Sequence, residues 1–151
     1  CPDTYETQYQ NVWACASNQL DDFIEWIQQQ DFYENTTICI TGDHSSMEEG
    51  FLVEYDYDKH RGNIERKVYN VFINAAVEPV TMKNRKFTTM DYFPTVLAAL
   101  GAEIEGDRMG LGTNLFSEKS TLAEEYGYEE MFDELNKKSN FYDNYILYPE
   151  R

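Results

Sequence analysis

The sequence predicts an α/β fold from three observations. A helical repeat of apolar residues opens the chain, a β-branched apolar run follows it, and the order helix, strand, hairpin, strand, helix then emerges. In residues 7–30, Trp13, Ala16, Leu20, Phe23, Ile24 and Ile27 recur in steps of three and four, the pattern of one buried helix face. Asp21, Asp22 and Glu25 occupy the other faces. Thr36-Thr37-Ile38-Cys39-Ile40-Thr41, stopped by Gly42, reads as a strand of a sheet covered on both sides. Phe51, Val53, Tyr55 and Tyr57 alternate with Leu52, Glu54, Asp56 and Asp58, a period of two. Arg61-Gly62-Asn63 supplies a turn, and residues 64–68 return as the second arm of a β-hairpin, bases facing acids. Residues 68–76 are a second core strand, and residues 78–85 connect it onward.

Thr88, Thr89 and Asp91 offer N-cap chemistry before a helix over residues 92–100, with Pro94 in its first turn and Gly101 as its stop. Gly106, Gly110 and Gly112 predict a loop. Acidic helices follow over residues 120–126 and 128–138, with acids on a solvated face. The Tyr-rich residues 141–151 read as a tail lying on a neighbouring layer.

Composition narrows the function classes. The 151 residues suffice for one domain with a core. Twelve Lys and Arg against 28 Asp and Glu leave a net charge of −16, which excludes a nucleic-acid binder and disfavours an anionic membrane surface. The longest strongly apolar run, residues 93–102, is about half the ~20 residues of a spanning helix. The start Cys1-Pro2-Asp3 leads to the expectation of a processed product or a piece of a longer protein. Cys1, Cys15 and Cys39 fit no zinc spacing, and Cys15 and Cys39 are expected to be small buried hydrophobes. Asn35-Thr36-Thr37 matches a glycosylation sequon, relevant only in a eukaryotic secreted protein.

Chemistry concentrates at Thr41-Gly42-Asp43-His44, where the first strand ends, the usual place for a ligand in an open α/β sheet. Adjacent Asp43 and His44 offer a carboxylate oxygen and an imidazole nitrogen, donors suited to zinc or manganese. Strand neighbours point to opposite faces, so both reach one ion only where the chain leaves the strand, which Gly42 permits. An EF-hand frame over Glu54, Asp56, Asp58 and Glu65 fails because Lys59 stands where glycine is required. Asp91 is expected to cap its helix, and the role of Asn74 at a strand end stays open.

The run Asn35-Thr36-Thr37-Ile38 through Asp43-His44, preceded by the helix, resembles the alkaline phosphatase/sulfatase superfamily, which carries N-T-x-I-x-x-x-x-D-H here. Asp91-Tyr92-Phe93-Pro94-Thr95-Val96-Leu97 with Gly101 is similar to its D-x-x-P-T-x-L helix. Gly112-Thr113-Asn114-Leu115-Phe116 is similar to its closing G-x-x-L-F segment. The likeness covers residues 6–117 and is nearest to membrane-anchored phosphoglycerol transferases of the lipoteichoic acid synthase kind.

This resemblance implies an alkaline phosphatase-like sandwich with a central mixed sheet, flanking helices and a small β-hairpin. Residues 1–117 would be the C-terminal portion of the catalytic domain, and residues 118–151 an acidic helical extension packed on it. Asp43 and His44 would be metal ligands, for manganese first, with magnesium and zinc as alternatives. The nucleophilic threonine and a further acidic ligand would lie in the N-terminal half of the same catalytic domain, and a covalent phospho-threonine would carry the group. The substrate would be lipid-linked phosphoglycerol at the outer face of a bacterial cell membrane, with upstream helices as the anchor. The resemblance offers His60 as a contact to the substrate phosphate, while its place beside Lys59 and Arg61 at a charged hairpin tip favours a solvated turn residue. Lys59, Arg61 and Arg66 suit an anionic substrate and cross-strand neutralisation of the acidic arm equally. Ser45 and Ser46 stand where many relatives have glycine, and read as loop hydroxyls rather than nucleophiles. A hydrolase of the same superfamily and a non-catalytic acidic interaction module are the alternatives. By this reading the 151 residues alone are inactive.

Overall fold

The computed structural model describes residues 3–53, 67–81 and 83–148. They form a mixed α/β architecture, mostly helical, with two small two-stranded antiparallel sheets. The chain divides into two compact units, Cys1–Asn74 and Ala75–Arg151.

In the first unit, helix α1 spans Gln8–Gln28. Thr7 caps it in a capping box with Gln10, which settles orphan N–H groups at the helix start. The predicted periodicity is present, but the face it describes is not buried. Trp13 is 60 % exposed, Phe23 54 % and Leu20 40 %, Ile24 and Ile27 are only partly covered, and Asn11 is the buried residue of the helix. Asn11 is buried because its amide holds the approach to the helix, accepting from the Thr4 and Tyr5 N–H groups and donating to Tyr5 O and Thr7 O.

Strand β1 (Ile38–Thr41) pairs antiparallel with β2 (Asn70–Ile73), Ile38 opposite Ile73 and Thr41 opposite Asn70. Cys39 and Thr41 are exposed while Ile38 and Ile40 are partly covered, so β1 is shielded on one face and not on two. The expectation of a strand covered on both sides is corrected accordingly: a β-branched run satisfies a half-covered strand equally well. Among the described residues each sheet has two strands, and a central mixed sheet is not formed.

The first residues of the predicted hairpin arm are helical instead. Helix α2 spans Glu49–Val53, and the Leu52 N–H donates to Glu48 O at 3.1 Å. Phe51, Leu52 and Val53 are all apolar, so this stretch carries no period of its own that favours a strand. Residues 54–66 of the predicted hairpin lie outside the described residues, and Lys67 and Val68, the end of its second arm, are not in a strand.

The second unit is built around α3 (Tyr92–Ala99), entered through a 3-10 turn at Thr89–Asp91. Pro94 sits in the first turn of α3, and Gly101 takes φ 87 just beyond its end. The segment predicted as a loop contains a hairpin, β3 (Arg108–Met109) and β4 (Gly112–Thr113). Gly110, at φ 60, opens its two-residue loop, a position that favours glycine. Helices α4 (Leu122–Tyr126) and α5 (Tyr128–Leu135) follow, α4 started by a capping box between Thr121 and Glu124. The tail forms one π-type turn, Tyr142–Leu147, with Phe141, Tyr145 and Tyr148 exposed.

This unit buries Ala98, Ala99, Leu115, Ala123 and Met131 together with three threonines, Thr95, Thr113 and Thr121. Buried hydroxyls need partners, and each has them. Thr95 Oγ1 donates to Asp91 O and accepts from the Leu115 N–H at 3.0 Å. Thr113 Oγ1 accepts from Arg108 Nε at 3.2 Å, and Thr121 Oγ1 donates to Lys86 O while accepting from the Glu124 N–H. Arg85 ties the unit further, donating to Leu115 O, Ser117 O and the Glu124 carboxylate.

Candidate metal centre

β1 delivers the candidate ligands. The Gly42 N–H still donates to Tyr69 O at 2.8 Å, one bond beyond the strand itself. A Cβ on Gly42 would lie 3.0 Å from Val68 Cβ, so the absent side chain lets the chain pass close before it turns away. Past that point Asp43 and His44 no longer alternate as strand neighbours do. Asp43 Oδ1 accepts the His44 backbone N–H at 2.9 Å, and Asp43 Oδ2 lies 3.5 Å from His44 Nε2.

The other imidazole nitrogen is occupied. His44 Nδ1 is 2.9 Å from Ser45 O, and a carbonyl oxygen only accepts. The tautomer with its proton on Nδ1 donates to that carbonyl and turns the Nε2 lone pair toward Asp43, the form that a shared ion would require. A carbonyl on the non-ligating nitrogen is the usual way a protein orients a metal-binding histidine.

The donor pair passes a simple fit test. Ligands about 2.1 Å from one tetrahedral zinc ion stand about 3.4 Å apart, against the 3.5 Å found; octahedral manganese would draw the pair about half an ångström closer. One oxygen and one nitrogen suit zinc or manganese. Two donors do not complete a shell, and no group of three or more His, Cys, Asp or Glu able to hold a metal occurs among the described residues. The pair is open to water, with side chains 88 % exposed for Asp43 and 56 % for His44. A hollow of about 440 Å³ lined by Tyr9, Val12, Glu48 and Phe51 lies in the same unit, and neither Asp43 nor His44 lines it.

The remaining expectations divide. His60, the predicted substrate contact, lies outside the described residues, as do Lys59, Arg61 and the rejected EF-hand frame. The expectation that Asp91 caps α3 is corrected, because its carboxylate accepts no N–H of that helix. It is the reciprocal partner of Thr88 in the capping box of the 3-10 turn, accepting the Thr88 N–H at 2.8 Å, and it also accepts the Thr113 N–H at 2.7 Å, with the residue 3 % exposed. The D-x-x-P-T-x-L pattern thus acquires a structural meaning, because Asp91 and Thr95 join α3 to the strand and turn at Thr113 and Leu115. Asn74, at φ 56, braces a loop by donating through Nδ2 to Tyr33 O and Thr36 O, both at 2.9 Å. Cys15 is disulfide-bonded and Cys39 is an exposed free thiol, so neither is the buried hydrophobe expected. Cysteine spacing alone carries no pairing information.

Sequence reasoning missed Tyr9, whose hydroxyl hydrogen-bonds Ser46 Oγ. Nothing in the local pattern marks it, because its partner is distant in the chain. No helix among the described residues is long and apolar enough to cross a membrane. Comparison of the chain with family models, with curated proteins and with solved structures returns no match.

Proposed function

We propose that this chain is the metal-binding C-terminal part of a sulfatase-like phosphoglycerol transferase domain, acting on lipid-linked phosphoglycerol at the outer face of a bacterial cell membrane. One observation carries the reading: Asp43 and His44 converge at the end of β1 at the spacing of two ligands of one ion, with the second imidazole nitrogen already engaged. The ordered likeness of residues 6–117 to the superfamily supports it. The disulfide at Cys15 agrees with an oxidising compartment.

In this reading Asp43 and His44 hold manganese, with magnesium and zinc as alternatives, and the remaining ligand and the threonine nucleophile come from sequence outside these residues. The bound ion supplies Lewis-acid polarisation of a phosphoryl oxygen and lowers the pKa of a nearby hydroxyl. Asp43 contributes charge and one oxygen. His44 contributes Nε2, with its proton kept on Nδ1 against Ser45 O. His60 is proposed to meet the substrate phosphate.

Manganese titration of the full chain, followed by calorimetry, tests the assignment. The chain is expected to bind one ion weakly, as two ligands allow, and Asp43→Ala and His44→Gln are each expected to remove that binding while leaving the helical circular dichroism unchanged. Binding unaffected by both substitutions refutes the ligand assignment. Full turnover of phosphoglycerol lipid by these 151 residues alone refutes the division of the site.

A further inference from the structure

We infer that Tyr9 is a positioning residue for His44, acting through Ser46; this rests on the metal reading of Asp43 and His44. The His44 side chain is 56 % exposed, so packing does not hold its ring. The ring is oriented from both nitrogens, Nδ1 lying 2.9 Å from Ser45 O and Nε2 3.5 Å from Asp43 Oδ2, and the shorter contact is the one to Ser45 O. That carbonyl belongs to the rigid peptide unit joining Ser45 to Ser46, so its direction follows from whatever fixes Ser46.

Ser46 Oγ is fixed from two sides. It accepts the Glu48 N–H at 3.2 Å, a local turn bond. It also hydrogen-bonds the Tyr9 hydroxyl, reaching across to the first turns of α1. Tyr9 is itself held by ring contacts, with centroids 4.9 Å from Phe51 and 5.9 Å from Trp13. The loop that carries the candidate ligands is thereby anchored to a long helix through one phenolic hydroxyl. Packing alone would be served by phenylalanine at this position; the hydroxyl serves the loop.

The test compares the full chain with Tyr9→Phe, which keeps the ring contacts, and with Ser46→Ala and the double variant. Nitrogen NMR of the imidazole, assigned by loss of the signal in His44→Gln, reads the tautomer at about pH 8.5, well above the ordinary histidine pKa. The wild-type chain is expected to show the proton on Nδ1, and each variant a mixture of the two tautomers. Manganese titration is expected to show about tenfold weaker binding in Tyr9→Phe and in Ser46→Ala, the scale of losing an outer hydrogen bond behind a metal ligand. The double variant is expected to be no worse than either single one, because both remove the same link.

An unchanged His44 tautomer in Tyr9→Phe overturns the proposal, whatever the metal does. A shifted tautomer in a chain that binds no manganese upholds the positioning of His44 and overturns the metal reading instead. Equal manganese affinity in a wild-type chain that does bind the ion and in Tyr9→Phe overturns the role toward the metal.

Discussion

Asp91→Ala separates the two roles an aspartate in this motif can have, helix cap or metal ligand. The carboxylate is 3 % exposed and accepts two backbone N–H groups, Thr113 at 2.7 Å and Thr88 at 2.8 Å. Thr113 is fully buried, so its N–H loses a charge-assisted bond with no water to replace it, at a cost of about 3 kcal/mol. Thr88 is only partly covered, and the loss there resembles that of an ordinary cap, about 1 kcal/mol. The sum, about 4 kcal/mol, is a large part of the 5–15 kcal/mol that holds a typical domain together. At about 3 °C per kcal/mol for a chain of this size, the melting temperature falls by roughly 12 °C. Asp91→Asn keeps one acceptor oxygen and is expected to lose about half as much. Urea unfolding measures the stability, and manganese titration of the same variants, below their melting temperatures, measures the other role. A variant that keeps wild-type stability and loses manganese refutes the assignment of Asp91 to the brace between Thr88 and Thr113.

Two further predictions concern the same unit. Glu124 is lowered from 4.5 to about 2, first by its hydrogen bonds from Arg85, against burial acting the other way, and further by the backbone N–H groups of Thr121 and Lys86. A carboxyl whose folded pKa is depressed adds stability that is complete above its unfolded value and is lost as the pH falls. Unfolding free energy is therefore expected to drop between pH 4.5 and about 2 by up to about 3 kcal/mol, and Glu124→Gln is expected to flatten that part of the profile; parallel profiles for the two proteins refute the assignment. Gly112 admits no side chain, since a Cβ there would lie 2.0 Å from Met90 O and 2.8 Å from Met90 C. Gly112→Ala is expected to cost about 3 kcal/mol or more, whereas Gly106→Asn, at φ 68 and ψ 14 with open space around it, costs less than about 1 kcal/mol; thermal melts with the opposite ranking contradict this reading.

What was legible in the sequence is what depends on neighbours along the chain. Pro94 in the first turn and Gly101 at the stop are local signals, and each falls where the boundaries of α3 are found. Asp91 was readable as belonging to the helix start because its first partner, Thr88, is three residues away, while the bond to its second partner, Thr113, was not readable. Periodicity tells which side chains share a face and is silent on what covers that face, which is why α1 formed as expected while Trp13 and Phe23 stand exposed. The β-branched run of β1 likewise announced a strand and could not say that a single strand, β2, would pair with it among the described residues.

The same division runs through the candidate metal centre. Asp43 and His44 are adjacent, so their convergence needs only a break after the strand, and Gly42 announces that break in the sequence itself. The orientation of the imidazole is a different matter. It passes from Ser45 to Ser46 and from there to Tyr9, 37 residues earlier in the chain. No spacing rule links a tyrosine in the first turns of a helix to a serine beyond the next strand; only the fold brings them together. A residue type able to bind metal is therefore a local property of this chain, while its readiness to bind is a tertiary one. If the proposed site holds, a substitution on α1 that touches neither Asp43 nor His44 is predicted to weaken it, and these two exposed residues are predicted to be replaceable at little cost to stability.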